Sequence, residues 1–124
     1  MTFLDTSVII DFLKGDEKIV AIVRELYEKQ DLKTTAINEY ELLKYGAELK
    51  RQAAEKFLVR VTVCSFDRAS AEKAASLYRK LCDDGKMINE NDLLIAGIAL
   101  ANNEGLLTRD QKFSNLGEES IKIV

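Results

Sequence analysis

The sequence predicts a three-layer α/β/α fold around a central, mostly parallel five-stranded sheet, and three observations carry that expectation. Short β-branched or aliphatic runs alternate with segments whose apolar residues recur at helical spacing, the signature of β–α–β units. No proline, Gly/Ser linker, internal repeat or low-complexity run divides the 124 residues, so residues 1–124 read as one domain with enough chain to bury a core. Four carboxylates, Asp5, Glu41, Asp92 and Asp110, fall where a strand hands over to a helix or within a helix's first turn. A parallel sheet gathers such positions at the carboxyl edge of its strands.

Taken in order, TFLD reads as the first strand and SVIIDFLKG as a short helix closed by Gly15. Residues 16–31 carry Ile19, Ile22, Val23, Leu26 and Tyr27 as an apolar stripe at helical spacing. Lys33 to Ile37 is expected as the second strand, with β-branched Thr34, Thr35 and Ile37. Asn38 is then expected to cap a helix that runs to about Tyr45. Gly46 interrupts it, and a further helix reaches about Val59. VTVCS reads as the third strand. Asp67 opens a helix whose Ala74, Leu77, Tyr78 and Leu81 share a face, ending near Gly85. Asn89 opens the next helix, which is apolar nearly all round at Leu93, Ala96, Ile98, Ala99 and Leu100, the mark of a covered central helix. GLLTRD supplies the fourth strand and its exit, and IKIV a closing strand.

Composition narrows the function classes. Apolar residues make up 47% and charged residues 31%, with a net charge of −3, which suits a soluble globular chain and argues weakly against a sequence-independent nucleic-acid binder. A basic rim remains open to Lys44, Lys50, Arg51, Lys56 and Arg60, although a solvated helix face explains any one of them. The apolar runs are shorter than the roughly 20 residues that span a bilayer. MTFLD lacks the basic start and cleavage site of a signal peptide. Cys64 and Cys82 have no CxxC spacing and read as reduced core thiols, so a cytoplasmic location with no membrane partner is expected.

Each acid has a structural reading as well as a chemical one. Asn38 with Glu41, and Asn89 with Asp92, fit an N-cap followed three residues later by an acid, while Asp5 and Asp110 are themselves fit to cap the segments after them. A negative charge at such a place gains about 0.3–1 kcal/mol from the helix dipole. Four capping acids at one edge would nevertheless repel one another unless a positive charge sat among them. The chain has no His and no paired Cys, so ligation would be by oxygen alone, which selects Mg²⁺ or Mn²⁺ over Zn²⁺. Hydrolysis of a phosphodiester is the chemistry most in need of such a site. Thr6, Ser7 and Thr108 stand beside the acids as hydroxyls able to orient them, with Asn89 as a further polar neighbour. Asp11, within the first helix, is expected outside the pocket.

MTFLDTSVIIDFL, INEYELLKYGAE, NDLLIAGIALA and LLTRDQKF, in this order and spacing, resemble the PIN-domain ribonucleases, and more narrowly the VapC-type toxins of prokaryotic toxin–antitoxin pairs. The resemblance spans essentially the whole chain. It implies a five-stranded parallel sheet, a site of three or four acids, dependence on Mg²⁺ or Mn²⁺, and an RNA substrate such as tRNA or rRNA. It also implies a homodimer and a VapB-type antitoxin whose tail carries a basic side chain into the acidic pocket. By position, Asp5 and Asp92 become the metal pair, with Glu41 and Asp110 as second and fourth acids. One departure stands out. Gly46 follows Glu41 by five residues where the family's E-L-x-x-G has four, which leaves the second acid open between Glu41 and Glu39. The number of metal ions stays open as well.

Rival readings fit less well. A phospho-receiver domain wants paired acids after the first strand, an Asp after the third and a Lys after the last. Here Asp5 stands singly, Asp67 lies well past VTVCS and Lys122 lies within the last strand. A dehalogenase-type phosphatase wants D-x-D rather than D-T-S, and no P-loop motif occurs. An RNA-processing nuclease outside toxin pairs, or an inactive PIN-like module that only binds RNA or protein, remains as the alternative within the same fold.

Overall fold

The computed structural model describes residues 1–124. Its elements run β1 (Thr2–Leu4), α1 (Thr6–Leu13), α2 (Glu17–Glu28), β2 (Leu32–Thr35), α3 (Ala36–Leu43), α4 (Glu48–Leu58), β3 (Thr62–Cys64), α5 (Arg68–Asp83), α6 (Glu90–Ala101), β4 (Gly105–Thr108) and β5 (Ile121–Ile123). A 3-10 helix over Gln111–Leu116, unforeseen from sequence, joins the last two strands. The five strands form one sheet in the order β3-β2-β1-β4-β5, and every pairing is parallel. The expected α/β architecture is therefore present, with the sheet wholly parallel. All five carboxyl ends consequently open onto one edge.

The two faces of the sheet bury separate cores, because successive strand residues point to opposite sides. Phe3 and Leu106 pack with Leu77, Leu81, Leu93 and Ile95 on the α5–α6 side. Leu4 joins Val8, Ile9, Ile19, Val23 and Phe57 on the side of α1, α2 and α4. The near-uniform apolar surface of α6 is explained by its central position, with Ile95, Ala96, Ile98 and Ala99 fully buried. Gly97 sets how close α5 approaches: a Cβ there would stand 2.9 Å from Ala74 Cβ and 2.9 Å from the Ser70 carbonyl. Gly15, at φ +85°, takes the left-handed turn that ends α1 and points the chain into α2.

The second crossover differs from expectation. β2 ends at Thr35 and α3 begins at Ala36, so Ile37 is helical and Asn38 is not the cap. Thr35 is the cap, accepting from the Asn38 N–H at 3.1 Å, and Asn38 Oδ1 in turn accepts from the Thr35 hydroxyl at 2.7 Å. A Thr that ends a strand is equally able to cap a helix, and its β-branch concealed the second role. The cysteines also depart in part from expectation. Both are free, but neither is a core residue: Cys64 is half-buried, packed against the α5–α6 core, and Cys82 is exposed on α5. No helix is long and apolar enough to cross a membrane.

Candidate active site

Asp5 occupies the N-cap position of α1 yet makes no side-chain cap. Its carboxylate, 4% exposed, is instead turned toward neighbouring side chains. Oδ2 accepts from Thr108 Oγ1 at 2.7 Å and from Ser7 Oγ at 3.1 Å, while Oδ1 accepts from Asn38 Nδ2 at 3.2 Å. Four elements thus meet on one carboxylate: β1, α1, α3 and β4. Burial raises the Asp5 pKa, and the hydrogen bonds from Thr108 and Ser7 oppose that rise. A helix cap would have spent those oxygens on backbone amides.

Glu41, on the second turn of α3, faces the same space. Thr6 donates to its Oε1 at 2.7 Å and Asn91 Nδ2 to its Oε2 at 3.5 Å. Thr6 is itself held by Asn38, whose amide donates to the Thr6 oxygen at 2.9 Å. Asn38 is fully buried and binds the α3 cap, Asp5 and Thr6 together. Sequence reasoning saw Asn38 only as a cap and passed over Asn91. The one available signal for Asn38 was a polar residue three positions before an acid, the same signal that suggested capping.

Asp92 lies in the first turn of α6, and no hydrogen bond reaches its side chain. Its pKa is raised to about 7, first by burial and then by the charges of Asp5, Asp110 and Glu41. Asp110 caps the 3-10 helix, accepting the Lys112 N–H at 2.9 Å, so for this acid the capping reading holds while its charge still acts on Asp92. Asn89 caps α6 by accepting the Asn91 N–H at 3.1 Å and makes no hydrogen bond with the acids. All four acids therefore share one electrostatic neighbourhood, and the Thr6, Ser7 and Thr108 hydroxyls donate to Glu41 and Asp5 within it.

Of the five basic residues weighed for a rim on the middle helices, four have described neighbours, and none of those neighbours is one of the four acids. Lys44 lies over the Tyr40 ring at 5.5 Å, Arg51 pairs with Glu55, and Lys50 borders an apolar hollow of about 340 Å³ with Ile10, Leu13 and Tyr45. Arg60 borders a hollow with Met1 and Leu32 at the opposite edge of the sheet. The cation whose charge offsets that of Asp92 is Lys112.

The donor set fits a hard divalent cation. The groups able to ligate there are the carboxylate oxygens of Asp5, Glu41, Asp92 and Asp110, and no hydrogen bond reaches the partly buried Asp92 carboxylate. No three carboxylates or thiols close into a cage able to hold an ion unaided. Mg²⁺ suits that arrangement, since it keeps several of its waters and takes only one or two carboxylates directly.

Residues 2–119 match the PIN domain family. Ribonuclease VapC3 of Methanocaldococcus jannaschii is 34% identical over 98 residues, which is 77% of this chain and 94% of that protein. Among solved structures, VapBC-1 of nontypeable Haemophilus influenzae superimposes with a TM-score of 0.81 at 26% identity, covering 98% of this chain and 96% of that one. VapBC2 of Rickettsia felis, bound to a promoter DNA fragment, gives a TM-score of 0.85 at 22% identity over 99% and 96%, a likeness of fold. The chain belongs to the PIN-domain family and stands with the VapC ribonucleases within it.

Proposed function

We propose that this protein is a Mg²⁺- or Mn²⁺-dependent endoribonuclease, the toxin of a VapBC-type toxin–antitoxin pair. The observation that carries the reading is Asp92: a partly buried carboxylate without a donor, in the field of Asp5, Glu41 and Asp110. Asp5 and Asp92 would hold the cation, with Glu41 and Asp110 completing the site. When bound, the cation activates water near neutral pH and offsets the charge that develops on the phosphate.

The chain's own residues prepare that chemistry. Thr108, Ser7 and Asn38 fix the direction of the Asp5 oxygens, so no reorientation is needed on binding. Thr6 and Asn91 hold Glu41 across the pocket. Asp110 commits Oδ1 to the Lys112 amide and turns the rest of its charge on the pocket. An RNA strand lying over this edge presents its phosphate to water. The P–O bond to one ribose breaks as the water oxygen bonds to phosphorus. The proton the water gives up is balanced by one the leaving ribose oxygen takes from solvent, so the products are a phosphate end and a hydroxyl end. A tRNA or rRNA is the proposed substrate, in the cytoplasm, and the family likeness supports a homodimer restrained by a VapB-type antitoxin.

The test is cleavage of purified tRNA and rRNA with Mg²⁺ or Mn²⁺, with EDTA, and with Asp92→Asn. Cleavage that needs metal and Asp92 is expected. Full activity after exhaustive chelation would overturn the metal mechanism, and metal binding without cleavage of any RNA would point to a binding module.

A further inference from the structure

Arg109 stands in the chain between Thr108 and Asp110, yet its side chain runs away from the acids. Nη1 lies 3.2 Å from Asp11 Oδ2 and 3.3 Å from Asp16 Oδ2, while the Arg109 N–H donates to Ser7 Oγ at 3.0 Å. One residue therefore ties the exit of β4 to three points: the head of α1 at Ser7, its body at Asp11, and the cap of α2 at Asp16. Asp11 is the last residue of D-T-S-x-x-x-D and takes no part in the pocket. This clamp gives it a place.

The linkage reaches the first acid in two steps. Ser7 accepts from the Arg109 amide and donates to Asp5 Oδ2, so the position of the β4 exit sets where that hydroxyl points. The next amide, of Asp110, donates to Thr108 Oγ1 at 3.1 Å, and Thr108 donates to the same Asp5 oxygen. A shift of this turn would move both donors of Oδ2 together. A single exposed ion pair contributes little, but one guanidinium between two carboxylates, fixed at its own backbone, restrains a turn in more than one direction. Without Arg109, Asp11 and Asp16 would also face each other with like charge.

We propose that Arg109, gripped by Asp11 and Asp16, is a positioning residue that fixes the β4 exit against α1 and so aims Asp5 and Asp110 into the pocket. The part of this that concerns cleavage rests on the nuclease reading; the clamp itself does not. The test replaces the outer carboxylates, which lie outside the pocket, with Asp11→Asn, Asp16→Asn and the pair. Asn preserves the α2 cap at position 16 while removing the charge. Amide exchange at Arg109 and Asp110 is expected to become several-fold faster in the pair. Mn²⁺ affinity and RNA cleavage are expected to fall about 10–100-fold. The reversed pair Asp11→Arg with Arg109→Asp should recover part of both and guards against loss of fold in the first set. Unchanged exchange at these two amides, with Mn²⁺ affinity equal to the parent's, would overturn the proposal. A parent protein that neither binds Mn²⁺ nor cleaves RNA would overturn the nuclease reading, while the exchange measurement would still decide the clamp.

Discussion

The Thr108 hydroxyl donates to Asp5 Oδ2 over 2.7 Å and so joins the end of β4 to the end of β1 across 103 positions of the chain. Thr108 is fully buried, and its oxygen also accepts the Asp110 N–H. The hydroxyl thus serves two acids at once. Thr108→Val keeps the branched shape but leaves Asp5 one donor short in a buried place. We expect a stability loss of about 1–3 kcal/mol and cleavage lowered about 10–100-fold. Chemical denaturation and a cleavage assay on the same preparation check both, and wild-type activity in the variant would show that the hydroxyl serves packing alone.

Asp5→Asn and Asp92→Asn should abolish cleavage alike and affect stability with opposite signs. Asp92 carries a charge that its surroundings oppose and has no donor to lose. In EDTA at pH 8 its Asn variant should melt a few degrees above wild type. Asp5 has three donors aimed at its oxygens. An amide there turns an N–H₂ toward the Thr108 and Ser7 hydroxyls or toward the Asn38 amide, so its melting temperature should drop. Equal shifts in both variants would contradict the difference in hydrogen-bond partners between the two acids.

The raised pKa of Asp92, about 7 against an unfolded value near 3.8, fixes how stability depends on pH without metal. Between those values the folded protein binds more protons than the unfolded chain, so stability falls as pH rises through that window. Asp5, raised by burial, acts in the same direction. A divalent cation binds the ionised site and reverses the penalty. The gap between melting curves with Mn²⁺ and with EDTA should therefore widen from pH 5 to pH 8. Scanning calorimetry at several pH values reads it directly. A gap independent of pH would mean that the ion binds elsewhere.

We propose Glu41 as the second acid, since Thr6 and Asn91 both donate to it, whereas Glu39 makes no hydrogen bond or ion pair through its side chain. Glu41→Gln should remove cleavage and Glu39→Gln should retain most of it, at matched circular dichroism. The opposite pattern would place the reacting phosphate on the other side of α3.

The choice of Glu41 was readable for a reason partly different from the one the sequence offers. Counting from Asn38 as cap puts Glu41 in the first helical turn, but α3 starts at Ala36 and places it in the second. What survives the shift is the rotation between Glu39 and Glu41, about 200°, which any helical register preserves. The sheet was legible because the strand runs are short and the intervening stripes strongly periodic. The grouping of the four carboxylates around Asp92 was legible because a parallel sheet fixes where strand exits go. Asn38 was not, because its work lies in contacts to Asp5 and Thr6, 33 and 32 residues away, which no local pattern records. Asn91 and the Arg109 clamp were hidden for the same reason. Where Lys44, Lys50, Arg51 and Arg60 lie was not legible either, because charge counted along helices says nothing of which edge the helix presents.

The proposed antitoxin should compete with metal for this pocket. A basic side chain from the antitoxin's tail, arginine above all, can stand among Asp5, Glu41 and Asp92 with a planar fork of donors and supply the charge that Asp92 lacks. Binding of a C-terminal antitoxin peptide should then weaken as Mn²⁺ is raised, and should weaken again with Asp92→Asn at pH 8, where the wild-type carboxylate is ionised. Calorimetric titration at fixed ionic strength separates this from general screening, because Na⁺ at matched ionic strength should have less effect than Mn²⁺. Replacing the peptide's arginine with glutamine should remove the metal sensitivity along with most of the affinity. Light scattering on the toxin alone should give twice the 14.0 kDa of one chain. Peptide binding indifferent to both Mn²⁺ and Asp92 would show that the antitoxin silences the enzyme from another surface.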